Sequence, residues 1–346
     1  MAVGDGGALG YKSWIGVAEE TSWSTKITAT SFLEFLSESM NRTRESTKLE
    51  TINTGRNFLK RFLGNETVQG GVEAYLNVAS DAIVKIIKNG LGGSVTSTEV
   101  TGSGGTATSS YSHSIAQGSL ENSLSSLTIQ KRVGDSHIFD FMGCRVNSWS
   151  IKGEIGQPLQ LSVEFIGRQG STSSDTVTVA LPSVTPLLWD NVTFKSGEAA
   201  NMTSVLASGT AEKITGFELS FNNNLIADEG ARSLGDTTVD FIKYGKADVT
   251  LKISQRFDTS TAYDRAFAGT AYSFGLLFNS NQTISALADS TTYSMSIEVP
   301  KAYYKTQTPQ VGDAGVIMQE LEFDVVANSA GADIINTTIC NATSSY

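Results

Sequence analysis

The sequence predicts a mainly β chain, organised as two tandem β-barrel or β-sandwich units. Each unit is expected to hold one short helix and a long loop between its early strands. Three observations predict this class. Charged residues make up only 17% of the chain, Pro is scarce, and Ser, Thr and Gly abound. That balance suits strands and turns better than amphipathic helices. Short apolar/polar alternations recur along the chain, which is the period of a half-buried strand. The order of these runs in the first half also returns in the second, and an internal repeat decides architecture before any single motif does.

The two passes can be laid side by side. In the first, Phe32-Leu33-Glu34-Phe35-Leu36-Ser37 leads into a long loop over 40–64, then a strand over 68–76 and a helix over 80–90. In the second, Phe217-Glu218-Leu219-Ser220-Phe221 leads into a loop over 222–246, a strand over 247–254 and a helix near 260–268. Phe32 matches Phe217, Val72 matches Val249, and Phe165 matches Phe323, with a spacing that drifts only by loop-sized steps. The first unit is assigned to 1–180 and the second to 181–346. The connector is Leu181-Pro182-Ser183-Val184-Thr185-Pro186, whose two prolines punctuate the chain.

Along the first unit, Trp14 and Trp23 carry large apolar area and must pack against their own unit or a neighbour. The loop 40–64 holds Arg42, Arg44, Glu45, Lys48, Glu50, Arg56, Lys60 and Arg61. Loops of this size in a compact β domain are uncommon unless they have a task. It reads either as a solvated hairpin extension or as an arm reaching another subunit. Phe58, Leu59, Phe62 and Leu63 favour the arm, because a purely solvated loop has no use for four large apolar groups. The expected arm residues are therefore Arg42, Arg44, Arg56, Phe58, Leu59, Lys60, Arg61, Phe62 and Leu63. Their expected acidic counterparts on a neighbour are Asp228, Glu229, Asp236 and Asp240, in the equivalent loop of the second unit.

Gly70-Gly71 interrupts a strand and reads as a bulge. The helix over 80–90 takes Ser80 as N-cap, turns Ile83, Ile86 and Ile87 to one face and is stopped by Gly90, Gly92 and Gly93. The second helix presents Ala262, Tyr263, Ala266 and Phe267 on a comparable face. Residues 94–114 are Ser/Thr/Gly-rich without periodicity and read as an outer loop. Strands follow near 123–132, 137–142, 145–152 and 159–167 in the first unit. In the second they follow near 191–194, 272–278, 292–303 and 316–327, and 328–346 reads as a polar tail.

Charge and chemistry exclude several classes. The net charge is −10, and most of the acidic excess lies in the second half. Nucleic-acid affinity comes mainly from Lys and Arg neutralising phosphates, so a general nucleic-acid binder is disfavoured. Two cysteines, Cys144 and Cys340, make no disulfide framework. Cys144 is expected buried, and Cys340 exposed in the tail. The start lacks the basic and apolar regions of an export signal, and no apolar run is long enough for a membrane span. The two histidines, His113 and His137, are not placed in any metal-ligand spacing. Asp228-Glu229 is an adjacent acidic pair, and adjacent residues point apart. There is no nucleophile elbow and no phosphate-binding glycine loop. No catalytic, cofactor-binding or metal-binding residues emerge, and the chain reads as a non-enzyme needing no cofactor.

Several motifs then converge on one family. Gly16-Val17-Ala18-Glu19-Glu20-Thr21-Ser22-Trp23-Ser24-Thr25, followed by Phe32-Leu33-Glu34-Phe35-Leu36-Ser37-Glu38-Ser39, resembles the N-terminal signature of tail tube proteins of long non-contractile-tailed bacteriophages. Gly64-Asn65-Glu66-Thr67-Val68-Gln69-Gly70, Gly90-Leu91-Gly92 and Phe217-Glu218-Leu219-Ser220-Phe221-Asn222-Asn223-Asn224-Leu225 resemble later parts of the pattern, in order. The sequence departs at Ser24, where Gly is common. The resemblance implies β units stacked as rings into a hollow tube through which the genome passes. A tandem version would close a ring with three chains presenting six units. It implies self-association, contacts with other tail proteins (tape measure, terminator and tail tip), DNA as passing cargo, no membrane, and a place in the virion tail after synthesis in the host cytoplasm. The rival readings are a tandem β-sandwich binding module, such as an adhesin or carbohydrate-binding appendage, and a hydrolase whose carboxylate pair forms only on folding.

Overall fold

Alternation along the chain becomes strand pairing throughout, and every pairing is antiparallel. The computed structural model describes residues 9–52, 55–101, 107–118, 125–135, 137–284, 291–305, 308–309, 311, 315–329 and 331–346. The first half runs β1 (Trp14–Glu19), β2 (Ser31–Leu33), β3 (Ser37–Glu38), β4 (Asn41–Lys48), β5 (Arg61–Tyr75), helix α1 (Asp81–Leu91), β6 (Gly92–Thr101), β7 (Ala107–Gln117), β8 (Leu127–Val133), β9 (His137–Glu154), β10 (Gln160–Gly167) and β11 (Gln169–Ser173). The second half runs β12 (Val192–Glu198), α2 (Val205–Ser208), β13 (Thr210–Glu212), β14 (Gly216–Asn222), β15 (Asp248–Arg256), α3 (Thr261–Ala268), β16 (Tyr272–Thr283), β17 (Thr292–Tyr304), β18 (Met318–Val325) and β19 (Asn336–Asn341). Strand outweighs helix by 52% to 11%, so the expected mainly β class is borne out.

Three sheets result. The first is β2–β1–β8–β9–β11 and uses only the first part of β9. The second is β4–β5–β10–β9–β14–β15–β18 and uses the second part of β9. The third is β13–β12–β16–β17–β19–β7–β6, joined to the second where the end of β17 meets β18. Period-two burial drives the layering: Phe217, Leu219 and Phe221 point inward from β14, as do Val249, Leu251 and Ile253 from β15. One hydrophobic cluster takes side chains from both halves, with Trp149 stacked on Phe221 at 5.7 Å. The seam between the halves is therefore packed as a core is.

Several expectations change. The loop 40–64 is mostly a ribbon formed by β4 and the first part of β5. Alternating charges on both faces obscured the strands, because neither face is buried by its own chain. Residues 94–114 are largely the hairpin β6–β7 rather than an outer loop; their Thr and Ser carry no apolar period, yet β-branched Thr suits a pleated surface. Residues 102–106 lie outside the described residues. The polar tail contains β19, inserted between β17 and β7, so Cys340 is partly buried rather than exposed, while Cys144 is buried as expected. Burial pushes the Cys144 thiol well above its ordinary range. At the end of β19, Asn341 bonds His113 at 3.1 Å and the Tyr346 hydroxyl at 2.6 Å, and Tyr346 donates to Asp81 at 2.7 Å. The chain end thus fastens onto the start of α1.

Smaller corrections have local causes. Ser80 occupies the N-cap position, but its hydroxyl donates to the Phe32 carbonyl at 3.1 Å and leaves the helix uncapped. Gly90 lies inside α1, against the Trp149 ring, and Gly92 at φ 68° ends the helix. Gly70 marks no bulge against β10, where the register runs unbroken from Val68 to Tyr75. Instead a side chain there would strike Ser39 and Met40, which cross close above it. In α3, Ala262 is buried, while Tyr263 and Phe267 lie open to solvent with their rings 4.7 Å apart.

The segment between β1 and β2 is strapped onto the first sheet by two polar centres. The buried Glu20 carboxylate accepts from Ser24 N–H at 2.7 Å, Ser126 Oγ at 2.5 Å, Thr128 Oγ1 at 2.9 Å and Gly143 N–H at 2.8 Å. Lys26 reaches Asp140 at 2.6 Å and Asp175 at 2.9 Å. Ser24 sits at φ 60°, in the region that favours glycine, and its buried hydroxyl has no partner among the described residues. Replacing Ser24 with Gly relieves both costs, and we expect about 1 kcal/mol of added stability, read as a higher urea midpoint at unchanged slope.

The Lys26 bond, aided by Gln130, lowers Asp175 to about 2. Its ordinary value is 3.8, so this stabilisation is complete above that pH and is lost as pH falls toward 2. In acid titration of thermal stability, Asp175→Asn should flatten the decline between those values. An unchanged decline means that other carboxylates set it.

Candidate assembly surface

The arm begins where β5 leaves the body. From Val68 to Tyr75, β5 is flanked by β10; from Arg61 to Thr67 it pairs only with β4. All of β4 is exposed. The seven residues from Arg61 to Thr67 correspond to a ribbon of roughly 23 Å. A two-stranded ribbon is marginal in water when nothing covers it. Phe58, Leu59, Phe62 and Leu63 are each about half exposed or more, between 48% and 70%. Lys48 lies over the Phe58 ring at 5.5 Å, and Arg44 donates to the Gly64 carbonyl at 3.0 Å. Arg56, Lys60 and Arg61 are exposed near the tip.

The arm root is clamped. Arg42 grips Glu66 through both carboxylate oxygens, at 2.8 and 2.7 Å, and Glu66 also accepts from Gly170 N–H at 3.1 Å. That bond holds the Arg42 guanidinium above its ordinary value. The loop 222–246 packs on the same root. Glu66 N–H donates to the Thr237 carbonyl at 2.8 Å, and Arg232 donates to the Glu66 carbonyl at 3.0 Å.

The proposed acidic counterparts therefore sit beside the root of the arm in their own chain. Asp236 lies 3.8 Å from Arg168. Its carboxyl is lowered, chiefly by the Thr238 backbone N–H. Asp228 caps a short helical turn by accepting from Gly230 N–H, and Asp240 accepts from Ser233. Glu229 is exposed. The structure thus brings Arg42 to Glu66, while the arm tip meets none of the four acids within the chain. Glu66, Arg168 and Arg232 escaped the sequence reading. The only signal was an acid just past a charged loop, and besides Arg42 its partners Gly170 and Arg232 lie over a hundred residues away.

Among the described residues no three His, Cys, Asp or Glu side chains converge on a possible metal position. Among the described residues no helix is long and apolar enough to cross a membrane. What the surface offers is an exposed, basic and apolar ribbon with a rigid base. A phage tail tube protein family model matches residues 10–325. The chain belongs to the phage tail tube protein family. The family is structural rather than enzymatic and has its place in the virion tail. Comparison with curated proteins gives no significant match.

Removing the Glu66 carboxylate leaves the buried Gly170 N–H without its acceptor and frees Arg42. Glu66→Ala should cost about 2 kcal/mol and speed trypsin cleavage within the arm relative to the body. Equal cleavage rates would show that the clamp does not order the arm.

Proposed function

We propose that the chain builds the tail tube as rings of three copies, each contributing two similar β units, 1–180 and 181–346. Rings stack, and the genome passes through the bore. The observation that carries this reading is the arm: a ribbon with four large open apolar side chains that its own chain does not cover. Within the assembly the basic arm meets a neighbour, with Asp228, Glu229, Asp236 and Asp240 as acidic counterparts. Exposed ion pairs are individually weak, so the apolar group contributes more of the binding.

Pairing order supports the duplication. In the first half, β1 pairs β8, β8 pairs β9, β9 pairs β10 and β10 pairs β5, which precedes α1. In the second, β12 pairs β16, β16 pairs β17, β17 pairs β18 and β18 pairs β15, which precedes α3. The long strands β9 and β17 hold the same place in this order, each linking the strand before it to the strand after it. The second sheet also ends in open edges, β4 and most of β18, and open edges invite pairing with another copy. Three copies joined edge to edge close a ring. Contacts with the tape measure, terminator and tail tip proteins, and synthesis in the host cytoplasm, follow from the same reading.

Purified protein should form rings of three and then tubes, seen by native mass measurement and electron microscopy; a strict monomer up to millimolar concentration contradicts this. Replacing residues 46–63 with an Asn-Gly turn should keep the fold and abolish tubes, whereas tubes from that variant would remove the arm from the mechanism.

DNA is cargo here, and a conduit works better when its wall does not hold the polymer. With a net charge of −10 the far field repels phosphate. Anisotropy titration of assembled tubes with duplex DNA at low salt should show no micromolar binding. Micromolar affinity that vanishes as salt rises would instead reveal a basic wall.

A further inference from the structure

The second sheet has two unlike ends. Its pairings align Tyr75, Gln160, Lys152, Glu218, Lys252 and Glu322 across one end. Gly71, Glu164, Ser148, Asn222 and Asp248 align toward the other, and the arm leaves from that second end. At the first end, an open cleft of about 330 Å³ lies between the turn after β9 and the segment entering β12. Ile155, Leu159, Trp189, Val192, Ile214 and Phe217 line it.

The rim is fixed by backbone bonds. Gln157 N–H donates to the Glu154 carbonyl at 3.1 Å, Trp189 N–H to the Gln157 carbonyl at 3.2 Å, and Leu159 N–H to the Leu187 carbonyl at 2.9 Å. Asn191 Oδ1 accepts from Leu188 N–H at 2.8 Å and shapes the turn that displays the indole. Ile155 remains 56% and Trp189 46% exposed. Acids surround this cleft and the one adjoining it: Glu154, Asp190, Glu218, Glu320 and Glu322, against Lys152 and Lys252. The arm has the opposite balance, with six basic and two acidic residues between 42 and 63.

We infer that this cleft is the socket for the arm tip of a second copy, with Phe58, Leu59, Phe62 and Leu63 covering Trp189 and Ile155. Complementary charge and matched apolar surface identify the occupant. An arm at one end of the sheet and a socket at the other make a heterologous contact, which repeats as an open stack rather than closing a two-fold dimer. The inference rests on the arm reading above and adds where the arm lands: along the tube axis, in the next ring. On this reading the arm tip meets the acids of this cleft in place of Asp228, Glu229, Asp236 and Asp240, which lie at the arm's own end of the sheet.

Two variants test it by complementation. The socket variant Ile155→Lys/Trp189→Lys keeps its arm, and both substitutions are at exposed positions. The arm variant carries the Asn-Gly turn in place of 46–63 and keeps its socket. Circular dichroism first establishes that both are folded. Each alone should form no tubes, and mixing them should give a complex by sedimentation velocity at least tenfold tighter than either variant's self-association. Tubes from the socket variant alone, or no complex on mixing, overturn the inference. A complex on mixing with no rings from the wild-type chain would sustain the socket and remove the three-copy ring.

Discussion

The bend in β9 is the constraint on which the rest depends. Eighteen residues run from His137 to Glu154 as one strand, first among β8 and β11, then between β10 and β14. The change of sheet falls at Gly143, at φ 64°, where the register against β8 shifts. Glu20 accepts the Gly143 N–H, so the turning point is held by a buried carboxylate from the strap after β1. A buried carboxylate is tolerated only when its lone pairs are used, and four donors use them here. The same group therefore fixes the strap, the bend and the angle between the first and second sheets.

Past the bend, β9 carries the seam between the halves. Its second part pairs β14 from Ser148 to Glu154, and the Trp149 ring beside it packs on Phe221 and against Gly90 of α1. The Asn223 side chain donates to the Gly90 and Val146 carbonyls at 2.6 and 2.9 Å, closing the same corner. The chain end adds a second link, because β19 crosses back to β7 and Asn341 bonds the buried His113. With the body held at two seams, the arm can project from a rigid base, and the arm and the cleft occupy opposite ends of one sheet. The proposed stacking needs that polarity more than it needs any single contact.

Much of this was legible in the sequence because it follows from local period. The strands at 160–167, 216–222, 248–256 and 272–283 alternate apolar and polar residues, and both principal helices end at glycines in the left-handed region. The arm's apolar group stood out because Phe58, Leu59, Phe62 and Leu63 lie in an otherwise charged stretch. The hairpin β6–β7 and the strand β19 were not legible. Their residues are largely Ser, Thr and Asn, and they become strands because β17, β19, β7 and β6 supply one another's hydrogen-bond partners. The cleft was equally hidden: Ile155 and Trp189 are 34 residues apart in turns without periodicity, and only the close of β9 onto the connector brings them to one rim.

By itself the sequence determined the class, the helices, the charged arm and the family pattern, because hydrophobic period, helix-ending glycines and residue order are local properties. Only the tertiary structure decided which strands share a sheet, that Arg42 is taken by Glu66, that the four acids sit at the root of the arm, and that a cleft opens at the far end. These are properties of long-range pairing. Many partners could satisfy any one strand edge or carboxylate, and the choice among them is made by packing the whole core at once.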